Sequence, residues 1–514
     1  MRPRGLACFL SAVLLALGHA SPSPADDRPQ WGERHSRNMV SDETGLPTSF
    51  EAGRRDGQTG NIDPDSTEGV RWVARLGTQT NGSPVVAEGK VLVGTNNGAP
   101  RDERIEGDRG VLMCFDEADG RFLWQLVVPK MYEIKYSDWH FVGITSSPTV
   151  EDGRAYLLSN RCEVMCLDLE GMADGNQGPY LDEGRHMAPA GEPPLEPGPR
   201  DADILWLCDL VAEMGVRPHN ASNCSILLDG NYLYVCTSNG VEWTHSHVAN
   251  PEAPTMVVVD KRNGKVIARD DFGLGTEIIH GQWSSPAMAG VNGKKCVVLG
   301  AGDGALYGFR ALEPGLGPDP RRRTENLWRF YGQPEAQTQD HVPLEHGFET
   351  QSYEVTSMPV FYKDRVYVGI TQDPWHKGKT GWFVCVDATQ TGDVTRSGLR
   401  WSYDGLGRCI STASIAGGLV YVADFDGRLH CLDAETGRCY WVHEAGEPIW
   451  GSTLVADGKI YLGTGRRQLW VLKAGKQLDV LEKIRMRDRV FTTPTAANGT
   501  LYVATEKHLY AVGR

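Results

Sequence analysis

Residues Ile410 to Trp441 read ISTASIAGGLVYVADFDGRLHCLDAETGRCYW, and this stretch decides the fold. A short run ends at Gly417-Gly418, a β-branched apolar run follows, and Asp426-Gly427 turns the chain into a third run that ends at Asp433. Thr436-Gly437 then turns it into a fourth run carrying Trp441. Short apolar runs separated by glycine turns are the pattern of antiparallel hairpins, so the stretch predicts one four-stranded meander.

Variants of the unit recur from Ser146 (SSPTVEDGRAYLLSN), Ser284 (SSPAMAGVNGKKCVVLG), Thr356 (TSMPVFYKDRVYVG), Ser452 (STLVADGKIYLGTG) and Thr492 (TTPTAANGTLYVAT), with two more near Gly82 and Ser222. Aligning the position most often held by proline gives eight anchors: Pro84, Pro148, Ser225, Pro286, Pro359, Ala413, Thr453 and Pro494. The last three are 40 and 41 residues apart, the period of a bare four-stranded blade, and earlier gaps of 54 to 77 imply insertions. The fold class is therefore all-β, an eight-bladed β-propeller of four-stranded antiparallel blades. The unit at Thr492 has only three strands before Arg514, whereas Gly69 to Leu76 (GVRWVARL) reads as a lone fourth strand. The N-terminal strand is expected to complete the last blade and remove an open sheet edge.

The pattern D-x-x-T-G-x-x-x-W after an apolar third strand resembles the repeat of the PQQ-like, quinoprotein alcohol dehydrogenase-like β-propellers. It is carried by Asp433 to Gly437 with Trp441, by Asp116 to Gly120 with Trp124, and more loosely by Asp260 to Gly264 with Ala268 in place of tryptophan. The resemblance covers residues 69–514. Gln30-Trp31 through Thr44-Gly45-Leu46-Pro47 also resembles the lead-in of exported bacterial members. Such membership implies a fold and leaves the activity open, because the family holds both dehydrogenases and noncatalytic scaffolds of outer-membrane protein assembly.

Arg2 and Arg4 ahead of the apolar stretch Leu6 to Leu17, with Gly18-His19-Ala20 behind it, read as a secretory signal peptide over residues 1–20. Residues 21–68 form a lead-in segment and 69–514 the propeller. The apolar run is too short to span a bilayer, so no transmembrane anchor is expected and the protein is expected in the periplasm or medium. The net charge of −14 becomes more negative once Arg2 and Arg4 are removed, which argues against nucleic-acid partners.

Sorting residues by repeat position separates structure from candidate function. Cys114, Cys166, Cys385 and Cys431 occupy equivalent third-strand places and read as small core residues. Cys224 and Cys236 flank the Asp229-Gly230-Asn231 turn, which makes them a possible disulfide in an exported chain. Trp72, Trp124, Trp206, Trp328, Trp401 and Trp441 hold the fourth-strand position and are expected to pack between blades.

With strands A to D in each blade, B–C and D-to-A connections emerge on one face and A–B and C–D turns on the other. The first face collects the unusual chemistry: Trp139, His140, His219, Trp243, His245, His247, His280, Trp283, Trp375 and His376 are the candidate binding residues, joined there by His341, His346, Trp382 and Trp450. The C–D insertions 171–202 and 312–325 read as solvated loops on the other face. His245-Ser246-His247 would chelate a metal if extended, yet no spacing fixes a third ligand, so no metal is assigned. Asp424 to Gly427 reads as a hairpin turn instead of a calcium loop.

The preferred reading is an exported noncatalytic binding or scaffold propeller of the bacterial envelope, engaging a protein, peptide or glycan on that face and carrying no cofactor. The alternative is a PQQ- and calcium-dependent dehydrogenase of an alcohol or sugar. The chain lacks the adjacent cysteine pair expected of such alcohol dehydrogenases and any C-x-x-C-H haem motif, and no catalytic residue can be carried over. The closure reading has a direct test: a chain lacking residues 21–76 should melt earlier or aggregate, and an unchanged thermal transition would rule it out.

Overall fold

The third strand of every blade reaches a residue at which its ladder with the fourth strand slips by one, and this shared bulge shows how the repeats pack. The structure, a computed structural model, describes residues 26–270, 273–278, 280–332, 353–372, 380–446 and 448–513. The slips follow Cys114, Cys166, Val258, Gly308, Cys385, Cys431, Val471 and Ala511. Trp124, Trp206, Trp328, Trp401, Trp441 and Trp72 lie directly across from Cys114, Cys166, Gly308, Cys385, Cys431 and Ala511. In the two remaining blades the larger Val258 and Val471 face Ala268 and Glu482. Side-chain volume is thus traded across the strand pair, which explains why cysteine recurs: it is a small apolar residue opposite an indole.

Five of these six tryptophans, all but Trp328, then reach into the C–D turn of the next blade, Trp441 through its indole N–H to Gly475 O (3.0 Å). The indole N–H of Trp72 donates to Glu117 O (2.9 Å), that of Trp124 to Leu169 O (3.0 Å), that of Trp206 to Lys261 O (3.0 Å) and that of Trp401 to Ala434 O (3.1 Å). The ring of Trp401 packs on Gly437, where a Cβ would lie 2.5 Å from it and φ is +73°. Glycine in the D-x-x-T-G turn therefore serves both a left-handed backbone and the seat of a neighbour's indole.

The outcome is an eight-bladed, all-β propeller. Blade 6 is Ser414–Ala416, Leu419–Ala423, Arg428–Asp433 and Cys439–Glu444 in antiparallel order. Blade 8 joins Thr495–Ala497, Thr500–Ala504 and His508–Val512 to Val70–Arg75, so the expected N-terminal closure holds. Among the described residues no helix is long and apolar enough to cross a membrane. The expected signal peptide lies outside the described residues.

The innermost strands are linked by a hydrogen-bonded girdle. The residue before each anchor gives its N–H to the hydroxyl of the equivalent residue one blade on: Ser83 to Ser147, Ser147 to Ser225, Ser225 to Ser285, Met358 to Thr412, Thr412 to Ser452, Ser452 to Thr493, and Thr493 back to Ser83. The link from Ser285 is interrupted because Met358, the next residue in the circle, has no hydroxyl. This register places Ile226 at the anchor position of blade 3, one residue beyond the expected Ser225.

Below the girdle, the lead-in threads the axis and touches every blade in turn. Arg28 bridges Val86, Pro29 O accepts from Val150 N (2.7 Å), and His35 O and Ser36 O accept from Met288 N and Phe361 N (2.7 and 3.0 Å). Asn38 exchanges two hydrogen bonds with Ile415, Val40–Ser41 pairs in parallel with Val455 and Ala456, and Ser41 Oγ donates to Ala496 O. Arg37, fully buried, supplies the remaining contact: its guanidinium donates to Ser225 O, Pro286 O and Trp31 O at 2.7, 3.0 and 2.9 Å. Burial draws its pKa down to about 10, so it stays charged near neutrality and is held by three carbonyl dipoles.

Three expectations are corrected. Cys224 and Cys236 are free buried thiols, with Cys236 N–H donating to Cys224 Sγ at 3.2 Å. The hairpin pairs Asp229 with Tyr232, so its centre lies half a residue beyond Gly230 and Cys236 faces position 225 instead of 224. The 171–202 insertion is not wholly solvated, because its helix Glu183–Met187 returns along the rim and buries Met187 beside Ile105 and Phe122. His245-Ser246-His247 is not extended, His245 having φ +59°.

Arg37→Met leaves three buried carbonyls without their donor. We expect a loss of about 2–3 kcal/mol in denaturant unfolding and faster proteolysis near residue 40.

Candidate functional site

Above the girdle, on the face formed by the B–C and D-to-A connections, the axis opens into a cavity of about 650 Å³. Its floor is Trp31, whose indole lies on the lead-in and donates to Thr493 Oγ1 at 3.4 Å. Its walls are aromatic and apolar: Trp139, Trp283, Trp450, Phe491, Met358 and Ile410. Between them stand neutral polar groups, the side chains of Gln79, Asn81, Asn220 and Asn223 and the hydroxyls of Ser83, Ser147 and Ser452. Among the described residues lining it there is no Asp, Glu, Lys or Arg.

The wall at Trp139 is built from the connection between blades 1 and 2. Trp139 stacks on Tyr136, with ring centroids 5.3 Å apart and planes at 23°, and its N–H donates to Asn220 O at 2.7 Å. A buried ion pair holds this loop in place. Lys130 Nζ, wholly inaccessible, donates to Asp138 and to Trp139 O (2.7 Å), while Asp138 Oδ2 also accepts from Asn160 Nδ2 and Met131 N at 2.7 and 3.1 Å. Burial raises the Asp138 carboxyl above the usual range, against the pull of Lys130, so the pair is held at a desolvation cost that its hydrogen bonds must offset.

The adjoining part of the wall, where the His245 ring lies 6.5 Å from that of Tyr136, carries three histidines from different connections. His219 precedes blade 3, His245 lies in the B–C loop of blade 3, and His280 precedes blade 4. Their ring centroids are 4.6 Å (His219 to His245), 4.6 Å (His219 to His280) and 5.2 Å (His245 to His280) apart. His245 and His280 line the cavity, and His219 sits behind them. Trp283 braces the group, its ring 4.8 Å from that of His280 and its N–H on His219 O at 3.1 Å.

The candidate face residues therefore divide. Trp139, His245, His280 and Trp283 come together in the cavity, with His219 directly behind. Trp243 is half exposed beneath Lys135 Nζ (3.9 Å), His140 stacks at the surface on Tyr132, and His247 points into solvent beside Glu242. Trp375, His376, His341 and His346 lie outside the described residues. Tyr136, Phe491, Met358 and the girdle hydroxyls were not singled out by sequence; a repeat-aligned column just before each anchor would have shown the hydroxyls. Asp424 is engaged within its hairpin and with the preceding connection, accepting from Arg428 N (3.0 Å), His430 Nε2 (3.1 Å) and Gly407 N (3.2 Å).

The sequence profile of the family described as outer membrane protein assembly factor BamB matches residues 376–480. No curated protein sequence matches the chain. Among solved structures it is similar to BamB from Moraxella catarrhalis (12% identity, 85% of this chain and 95% of that one, TM-score 0.51). It is also similar to a quinohemoprotein alcohol dehydrogenase from Comamonas testosteroni (12% identity, 96% and 82%, TM-score 0.60). A europium-containing methanol dehydrogenase matches at 10% identity over 95% and 98% of the two chains, with a TM-score of 0.58. At these identities the structural likenesses speak to the fold.

Lys130→Met strands Asp138 in the interior and should cost about 3–5 kcal/mol, while the double change Lys130→Met/Asp138→Leu should recover most of it. Urea unfolding of the two variants checks this.

Proposed function

We propose that this β-propeller, similar over residues 376–480 to a PQQ-like repeat family, is an exported, noncatalytic binding propeller of the bacterial envelope. Its axial cup takes up a peptide segment of a partner protein. The observation that carries this reading is the lining of the cup. Trp31, Trp139, Trp283 and Trp450 surround it, and neutral amides and hydroxyls interrupt them. Such a surface suits an aromatic or aliphatic anchor side chain flanked by peptide groups, because rigid indoles give apolar contact at low entropic cost while Asn, Gln and Ser pair with backbone amides.

The cofactor of the dehydrogenase reading fits the described residues poorly. A polyanionic quinone with a calcium ion calls for cationic side chains and carboxylate oxygens, and the described lining offers neither. No redox step is derived through it.

The reading is tested with a random heptapeptide display library. Enriched sequences should carry an aromatic or branched aliphatic residue, and Trp139→Ala/Trp450→Ala should weaken binding by at least about 2 kcal/mol, the scale of an interface anchor. Enrichment insensitive to both substitutions would place binding elsewhere. Dye reduction with an alcohol or aldose after addition of PQQ and calcium would replace this proposal with the enzymatic one.

A further inference from the structure

His219, His245 and His280 are 26 and 35 residues apart in sequence, and their convergence is built rather than incidental. The backbone ties their three segments together: Pro218 bridges Asn239, His219 N donates to Ser238 O at 3.3 Å, and Val241 N donates to His280 O at 2.9 Å. Gly240 permits this approach, since a Cβ there would lie 2.7 Å from His280 O and 2.8 Å from His219 Cβ. The loop tip is fixed as well, with Thr244 N and Ser246 N donating to the Glu242 carboxylate at 2.7 and 3.1 Å. His245 N donates to Glu242 O at 2.9 Å, holding a non-glycine residue at φ +59°.

Each imidazole offers one ligand nitrogen, and the three nitrogens lie within 4.8 Å of one another. His219 Nδ1 is 2.7 Å from Val241 O, and because a carbonyl only accepts, Nδ1 carries the proton and Nε2 the lone pair. That carbonyl contact is the outer-shell partner that orients ligating histidines.

We infer that His219, His245 and His280 bind a borderline transition-metal dication of the zinc class, with the open coordination position facing the axial cup. Three neutral imidazoles form a nitrogen set that suits zinc, copper or nickel and gives calcium and magnesium nothing they prefer. Tetrahedral zinc at 2.0–2.1 Å from each nitrogen places the nitrogens about 3.4 Å apart, so each ring need close by less than about 1 Å. His245 and His280 line the cavity and His219 backs them, so a water or a donor group of the cup's occupant would complete the shell. The site stands independently of what the cup binds.

The test uses full-length mature protein without a histidine tag, stripped with chelator and titrated calorimetrically with zinc chloride. One zinc per chain is expected, and cobalt substitution should give the visible absorption of a four-coordinate nitrogen site. His245→Ala, at the only one of the three positions that is not fully buried and so the least risky for folding, should weaken zinc binding at least about 100-fold with an unchanged thermal melt, since even outer-shell changes cost 10–100-fold. His280→Gln should do the same, whereas His247→Ala should bind as the parent does. Stoichiometric zinc retained in His245→Ala/His280→Gln, or loss confined to His247→Ala, would overturn the assignment. So would absence of zinc and cobalt binding in the parent protein. None of these readouts requires a peptide ligand.

Discussion

Eight wedge-shaped sheets can meet at an axis only if the backbone groups of their innermost strands find partners there, and this constraint governs the rest of the molecule. It is met twice. The girdle of Ser and Thr hydroxyls closes seven of the links between neighbouring blades. Beneath it, the lead-in from Arg28 to Ser41 supplies carbonyls, amides and the Arg37 guanidinium to all eight. The outer part of most blades is secured differently, by an indole seated on the next blade's turn. Polar pairing at the hub and aromatic packing at the rim divide the work.

What the sequence revealed follows the same division. The rim is periodic: a tryptophan in the fourth strand, a small residue opposite it and a glycine in the next turn recur at readable intervals, and the missing strand at Gly69 to Leu76 could be found by subtraction. The hub is not periodic in one dimension. The lead-in has no repeat of its own, and its contacts reach across most of the chain, 455 residues from Ser41 to Ala496 and 462 from Trp31 to Thr493. The error at Cys224 and Cys236 has a local cause, since a turn centre misjudged by half a residue moves one partner to the other side of the sheet.

The candidate site is intermediate in legibility. Assigning connections to faces was enough to bring Trp139, His245, His280 and Trp283 to one side. It could not separate His245 from His247, because that depends on a left-handed residue at a loop tip. Nor could it show that His219 and His280 close on His245, which depends on Gly240 letting one connection lie against two others. Spacing motifs find metal sites whose ligands share an element; here the ligands share only a neighbourhood.

The lead-in also has a consequence for how the molecule is made. It is the first described part of the chain, yet each of its contacts requires a blade completed later, the last by Thr495–Ala497. Its full set of contacts is available only once the eighth blade exists, and closing contacts of such long sequence separation carries a high entropic cost. Trp31, the floor of the cup, belongs to that segment. The base of the cup is thus tied to the last blade, through the bond from the Trp31 indole to Thr493, as well as to the blades that form its walls.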